Sequence, residues 1–184
     1  MKNSTAFRSS AAALKDVRSI TLLALFAAMS IVLGKMLAFN IGPTIRISFE
    51  NLPILMAGIF LGAPAGMVTG ILADIIGCLI VGYSINPIIT VGAASIGLVS
   101  GLIYQMIPTK KDFASIFGSV MTAHVIGSMI IKSIGLMVYY QYPLVGVLPR
   151  IPLYIAIGSA EAAIILMLVR NHAFTAQLGK FNRR

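Results

Sequence analysis

The stretch Ile45-Arg46-Ile47-Ser48-Phe49-Glu50-Asn51-Leu52-Pro53 (IRISFENLP, residues 45–53) sets an Arg, an acid and an amide within six residues. The segments on both sides are apolar enough to lie in a membrane. The stretch is therefore either a wet connection between two spans or the rim of a binding site. Which of the two it is depends on where the other polar residues fall.

Of the 184 residues, 58% are hydrophobic and 10% charged. A soluble domain carries about 25% charged residues. With a mean hydropathy of +0.96, the chain reads as an all-α integral membrane protein. Cys78, the single cysteine, lies in an apolar run and reads as a small core residue. The net charge of +9 would suit nucleic acid, but the placement of the cations points to membrane topology instead.

A span needs about 20 apolar residues. The first runs from about Ile20 to Ala38 and is expected to be retained, because no small-x-small cleavage pattern follows it. The second, Leu52 to Leu61, is short and reads as a tilted, buried or partial helix, and "GAPAG" (residues 62–66) turns the chain into a third that ends at Val81. The fourth covers Pro87 to Ile107, the fifth Phe113 to Tyr140 and the sixth Arg150 to Val169. These segments predict one membrane domain over residues 1–184, with a six-helix bundle (18–170) between two tails (1–17 and 171–184).

Basic residues beside short loops mark the cytoplasmic side. Lys2, Arg8, Lys15 and Arg18, then Lys110 and Lys111, then Arg170, Lys180, Arg183 and Arg184 make ten of the fourteen cations. With six spans all ten share one side, so both termini are expected in the cytoplasm. Topology and lipid headgroups account for them, and no nucleic acid is implied.

Seven charged residues stay unexplained: Lys35, Arg46, Lys132, Arg150, Glu50, Asp74 and Glu161. Counting along the helices at 1.5 Å per residue puts Asp74, Lys132 and Glu161 about 12–16 Å below the outer surface. Each costs roughly 2.5–3.5 kcal/mol in hydrocarbon. They should therefore face inwards, either to a ligand cavity or to each other in a buried ion pair that fixes packing. Asp74 shares a stripe with Gly66, Gly70 and Gly77. On the fifth span His124, Ser128, Lys132 and Gly135 share another, and on the sixth Arg150, Tyr154, Gly158 and Glu161 do. His124 reads as a packing and hydrogen-bonding residue.

Above this layer lie Arg46, Phe49, Glu50 and Asn51, then Tyr83 and Asn86, then Tyr139, Tyr140, Tyr142 and Arg150. Asn51 reads equally as a helix cap. A polarised site follows. Arg46, Arg150 and Lys132 suit carboxylates. Asp74 or Glu161 suits the paired donors of an amidine-like ring edge, and Phe49 and the tyrosines suit a planar ring. Tyr139 and Tyr154 complete the candidate lining.

Catalysis finds no support. There is no P-loop, HExxH or GxSxG, no paired cysteines and no His–carboxylate spacing for a metal ion. No cofactor is called for. There is no convincing inverted repeat of the kind many secondary transporters carry, so uptake would draw its energy from a partner. Ala24 and Ala28 on the first span, with Ala27, are spaced for close approach of another helix, either inside the bundle or on a partner.

The polar first outer loop, the alanines on helix one, "RISFENLPILMAGIFLGAPAGMVTGILADIIGCLI" (residues 46–80) and "PRIPLY" (149–154) together resemble the S components of energy-coupling factor (ECF) vitamin transporters. The similarity runs from about Val17 to Arg170, and the motifs look most like the folate-specific branch. The resemblance implies capture of one vitamin from outside and docking, through Ala24 and Ala28, on a transmembrane T protein with two cytosolic ATPases. It also implies toppling in the membrane for delivery, and makes residues 39–51 a lid. Other readings are an S component for a queuosine precursor, riboflavin or pantothenate, a small membrane enzyme using Asp74 and Glu161 as acid and base, and a structural subunit using the alanine face alone.

Overall fold

The computed structural model describes residues 17–41, 45–107 and 113–171. Helix α1 spans Val17–Met36 and closes in a π-helical segment, Val32–Met36. A short antiparallel ribbon follows: β1 (Phe39–Ile41) pairs with β2 (Ile45–Ile47), with Asn40 opposite Arg46. Then come α2 (Asn51–Leu61), α3 (Ala63–Val81) and α4 (Pro87–Met106). Helix α5 covers Phe113–Tyr140, with a π-helical segment at His124–Ile131. A single turn, α6 (Leu144–Val147), leads into α7 (Arg150–Arg170).

Among the described residues six apolar helices form, as the sequence suggests, and five of them are long enough to cross a membrane. The exception is α2. Its 11 residues reach about 16 Å at 1.5 Å per residue, roughly half the hydrocarbon thickness. It is enclosed by protein, with Asn51 and Pro53 through Ile59 buried. Of the readings open for the short second helix, the structure has the buried, partial one. Of the ten topology cations only Arg18 and Arg170 lie within the described residues.

Gly62 makes the half-helix possible. It joins α2 to α3 alone, at φ 101° and ψ 164°, a conformation that side-chain-bearing residues avoid. Pro64 then sits in the first turn of α3, and Pro87 opens α4, where a missing N–H costs nothing. The core is the three-way contact of α2, α3 and α4. Small residues let the backbones approach: a Cβ on Gly66 would lie 2.6 Å from Gly58 Cα, and one on Gly97 would lie 2.8 Å from Gly66 Cα. Lipid offers no hydrophobic drive between helices, so such close packing must hold them. Hydroxyls are satisfied within their own helices, as when Thr69 and Ser119 donate to the Ala65 and Ser115 carbonyls at 2.8 Å.

Gly97→Ala should therefore destabilise the bundle by about 1–3 kcal/mol, the usual cost of overpacking. Nothing lies within 4 Å of a Cβ at Gly118, so Gly118→Ala should be neutral or add up to ~1 kcal/mol of helix propensity. Thermal unfolding of both variants in detergent checks the contrast.

Candidate ligand-binding site

The ribbon packs at one end of the bundle and is tied to α1. Arg46 donates to the Gly34 carbonyl at the end of α1. Ser30 donates to the Glu50 carbonyl at 2.6 Å. These bonds bring residues 46–51 over a small cavity lined by Ser30, Ile31, Lys35, Glu50, Ile54, Ala73, Asp74, Ala93 and Lys132. Its volume is about 20 Å³, room for about one water.

An ion pair crosses it. Lys132 Nζ donates to Glu50 Oε1 at 3.0 Å and to Asn51 Oδ1 at 3.2 Å. Lys132 is buried, while the Glu50 side chain keeps 24% of its exposure. Asp74 faces the same cavity and accepts from Thr90 at 2.6 Å. Both lysine stems run over glycines. A Cβ on Gly77 would lie 3.0 Å from Lys35 Cε, and one on Gly92 would lie 2.6 Å from Lys132 Cγ. Both lysines are tied to π-helical stretches: Lys35 lies inside the first and Lys132 directly follows the second. A π turn takes in one more residue than an α turn and recurs at functional positions.

Burial alone would raise the Glu50 carboxyl. The surrounding cations, Lys132 first and then Lys35 and Arg46, outweigh it and hold the pKa at about 2 against an ordinary 4.5. A depressed carboxyl stabilises the folded state fully above its unfolded pKa and loses that contribution as pH falls.

A second polar cluster lies between α5 and α7. His124 and Glu161 are fully buried, and His124 Nε2 stands 2.6 Å from Glu161 Oε2. A proton lies between these atoms whichever of the two owns it. His124 Nδ1 meets Ser128 Oγ at 3.1 Å, and the ring stacks on Tyr154 with centroids 5.4 Å apart. Arg150 donates to the Tyr154 hydroxyl at 3.2 Å and lies over its ring. Gly158 leaves space for the imidazole, since a Cβ there would lie 3.1 Å from His124 Cδ2.

The expected layer of Asp74, Lys132 and Glu161 thus divides. Asp74 and Lys132 share the cavity with Glu50, while Glu161 is sealed against His124. Asn51 does not cap α2, because its side-chain oxygen is turned to Lys132. Asn86 does cap α4: Oδ1 accepts from the Ile88 and Ile89 amides, and Nδ2 donates to the Gly135 carbonyl at 3.1 Å. Its amide is fully engaged away from the cavity. Tyr139 is exposed and packs edge-on against Tyr140. Phe49 is half-buried in the turn before α2. Ser30, Lys35, Thr90 and Ala93 belong to the site but escaped the candidate residues. For Lys35 the signal was present, an unexplained charge one turn before the outer loop.

Residues 18–178 match the sequence profile of the family described as "ECF transporter, substrate-specific component". The chain belongs to this family. Its fold is shared with three solved structures. FolT bound with folic acid is 19% identical with a TM-score of 0.68, over 82% of this chain and 92% of that one. The S component of a bacterial ECF transporter is 22% identical with a TM-score of 0.64, over 91% and 98%. The S component for biotin from an ECF-type ABC transporter is 18% identical with a TM-score of 0.60, over 87% and 95%. No curated protein sequence matches the chain. Family and fold are those of substrate-binding components of membrane transporters and not of enzymes.

Two outcomes test this geometry. Glu161→Ala strands a buried imidazole and should cost about 1–3 kcal/mol. His124→Ala with Glu161→Ala should cost less than the sum of the single changes, as contacting residues do; a double-mutant cycle by thermal unfolding measures it. For Glu50, the stability lost in Glu50→Gln should be constant above about pH 4.5 and shrink as pH falls towards 2, read from paired unfolding midpoints.

Proposed function

We propose that this S component captures folate from outside the cell membrane for ATP-driven uptake. The observation that carries the reading is the polar cavity beside residues 46–51. It brings two carboxylates, Asp74 and Glu50, together with the cations Lys35 and Lys132, and Arg46 is anchored to the Gly34 carbonyl. A pterin edge offers adjacent N–H donors that suit Asp74, and the glutamate tail of folate suits the cations. Phe49 precedes Glu50 in the chain and supplies an aromatic face that suits a flat ring. The similarity of fold to FolT supports the reading; at 19% identity it does not identify the vitamin. Arg150, Tyr154 and Glu161 fall to the neighbouring cluster and serve as the wall behind the site.

In this reading residues 18–170 form a single membrane domain and both tails, 1–17 and 171–184, lie in the cytoplasm. A T protein and two ATPases supply the energy. Ala24 and Ala28 face away from the bundle, whereas Leu23, Phe26 and Ala27 face into it. The two alanines thus present a shallow surface on which a T-protein helix can lie closely.

Equilibrium binding of folate, riboflavin and thiamin to the purified chain tests the vitamin. Folate alone should bind, and a pterin absorbance should accompany protein purified from cells. Binding of riboflavin or thiamin in its place would overturn the folate reading. Ala24→Arg with Ala28→Arg should leave binding unchanged and abolish uptake by the assembled transporter. Loss of binding would remove the docking role.

A further inference from the structure

We propose that Glu50 is an internal stand-in for the ligand: its carboxylate occupies the subsite where an anionic group of the vitamin binds Lys132, and binding exchanges one for the other. The inference rests on reading the cavity as the ligand site, and does not depend on the vitamin being folate.

Volume sets the first constraint. The cavity holds about 20 Å³, whereas small-molecule sites run to roughly 300 Å³ or more. Something lining it must leave before a vitamin fits. Ile54, Ala73 and Ala93 belong to packed helices and are buried. Glu50 stands at the junction of the ribbon segment with α2 and is the more exposed partner of the ion pair.

Charge sets the second constraint. Lys35, Arg46 and Lys132 surround Glu50, and Asp74 is the other acid on the cavity. With Glu50 withdrawn, three cations would face Asp74 alone. An ammonium buried without its counter-charge costs several kcal/mol. Lys132 also donates to Asn51 Oδ1, but an amide oxygen carries no net charge to replace the acid. The group that displaces Glu50 must therefore bring a negative charge. This makes Lys132 the specificity-determining cation and the ligand an anion, with a carboxylate as the closest match to what it replaces.

Shape shows that the seat is fitted. Gly34 is the residue beside the Glu50 side chain: a Cβ there would lie 2.7 Å from Glu50 Cβ and 2.8 Å from Oε2. The Gly34 carbonyl also holds Arg46. Ribbon anchor and carboxylate seat thus meet at one residue, and movement of Glu50 is coupled to the ribbon.

The test uses Glu50→Gln in the full chain, in two arms. The first needs no ligand. Ala93→Cys in a Cys78→Ala background reports access to the cavity through its reaction with a small anionic thiosulfonate. Glu50→Gln should speed that reaction about ten-fold; an unchanged rate overturns the proposal. The second arm measures binding of folate, biotin and pantothenate, which carry carboxylates, and of riboflavin and thiamin, which do not. Whichever ligand binds should be a carboxylate, should bind about ten-fold tighter to Glu50→Gln, and should be lost with Lys132→Gln. Tightened binding of biotin or pantothenate supports the exchange while ending the folate reading. A ligand without a carboxylate, or weaker binding to Glu50→Gln, overturns the exchange and leaves the S-component role intact. Should Glu50→Gln not fold, Glu50→Asp draws the same charge back from Lys132 and must shift both readouts in the same direction.

Discussion

A lysine ammonium buried among membrane helices must find a counter-charge, and Lys132 finds it in Glu50, 82 residues earlier in the chain. That pairing joins the ribbon to α5 across the mouth of the cavity. The residues around the cavity are arranged to permit it. The ribbon is pinned through Arg46 and Ser30, α2 begins at the residue after Glu50, and Gly92 yields the volume that the lysine stem needs. The half-helix α2 fits the same scheme. By ending at Gly62 it leaves the lower bundle to glycine-mediated contact of α2, α3 and α4, and frees the upper half for polar side chains.

Two π-helical segments in one small protein call for a physical reason. An i→i+5 turn shifts the phase of everything that follows and leaves carbonyls in need of new partners. The Leu37 amide bonds the Val32 carbonyl after the first segment, and Ser133 reaches back to the Ser128 carbonyl at the second. Each segment carries or directly precedes a cavity lysine. A helix phased for the lower bundle would not automatically aim a side chain into the cavity above it. The extra residue corrects the phase, so that one continuous helix can serve packing below and binding above.

The spans were legible because a run of apolar residues near membrane length has few other uses. The half-helix was legible only as an anomaly of length, since whether a short apolar run spans or is enclosed depends on its neighbours. The polar residues were legible as inward-facing and not in which neighbour each one meets. Counting residues from the outer surface placed Asp74, Lys132 and Glu161 at one level, and each is partnered inside the protein. The π segment between His124 and Lys132 was invisible to i, i+4 counting, and it separates the two residues' partners: His124 turns to Glu161 on α7 and Lys132 to Glu50 beside α2. Asn86 carried a readable signal that was passed over. An Asn directly before a Pro that opens a helix is a natural cap, and both ends of its amide are committed there.

The two polar clusters differ in a way that bears on their roles. In the pair of His124 and Glu161 both side chains are fully buried, supported by Ser128 and by a stacked tyrosine, between two long helices. Opening it would mean separating α5 from α7 and exposing two polar groups to hydrocarbon. In the pair of Lys132 and Glu50 only the lysine is enclosed; the acid sits on a short segment whose ties are a few hydrogen bonds. Its opening requires the segment alone to move, towards water, where a carboxylate is well solvated. A bundle that must stay intact while releasing and regaining a solute needs one polar contact that holds and one that yields. On the proposed reading of the cavity, the difference in enclosure suits the pair between α5 and α7 to the first part and the stretch from Arg46 to Asn51 to the second.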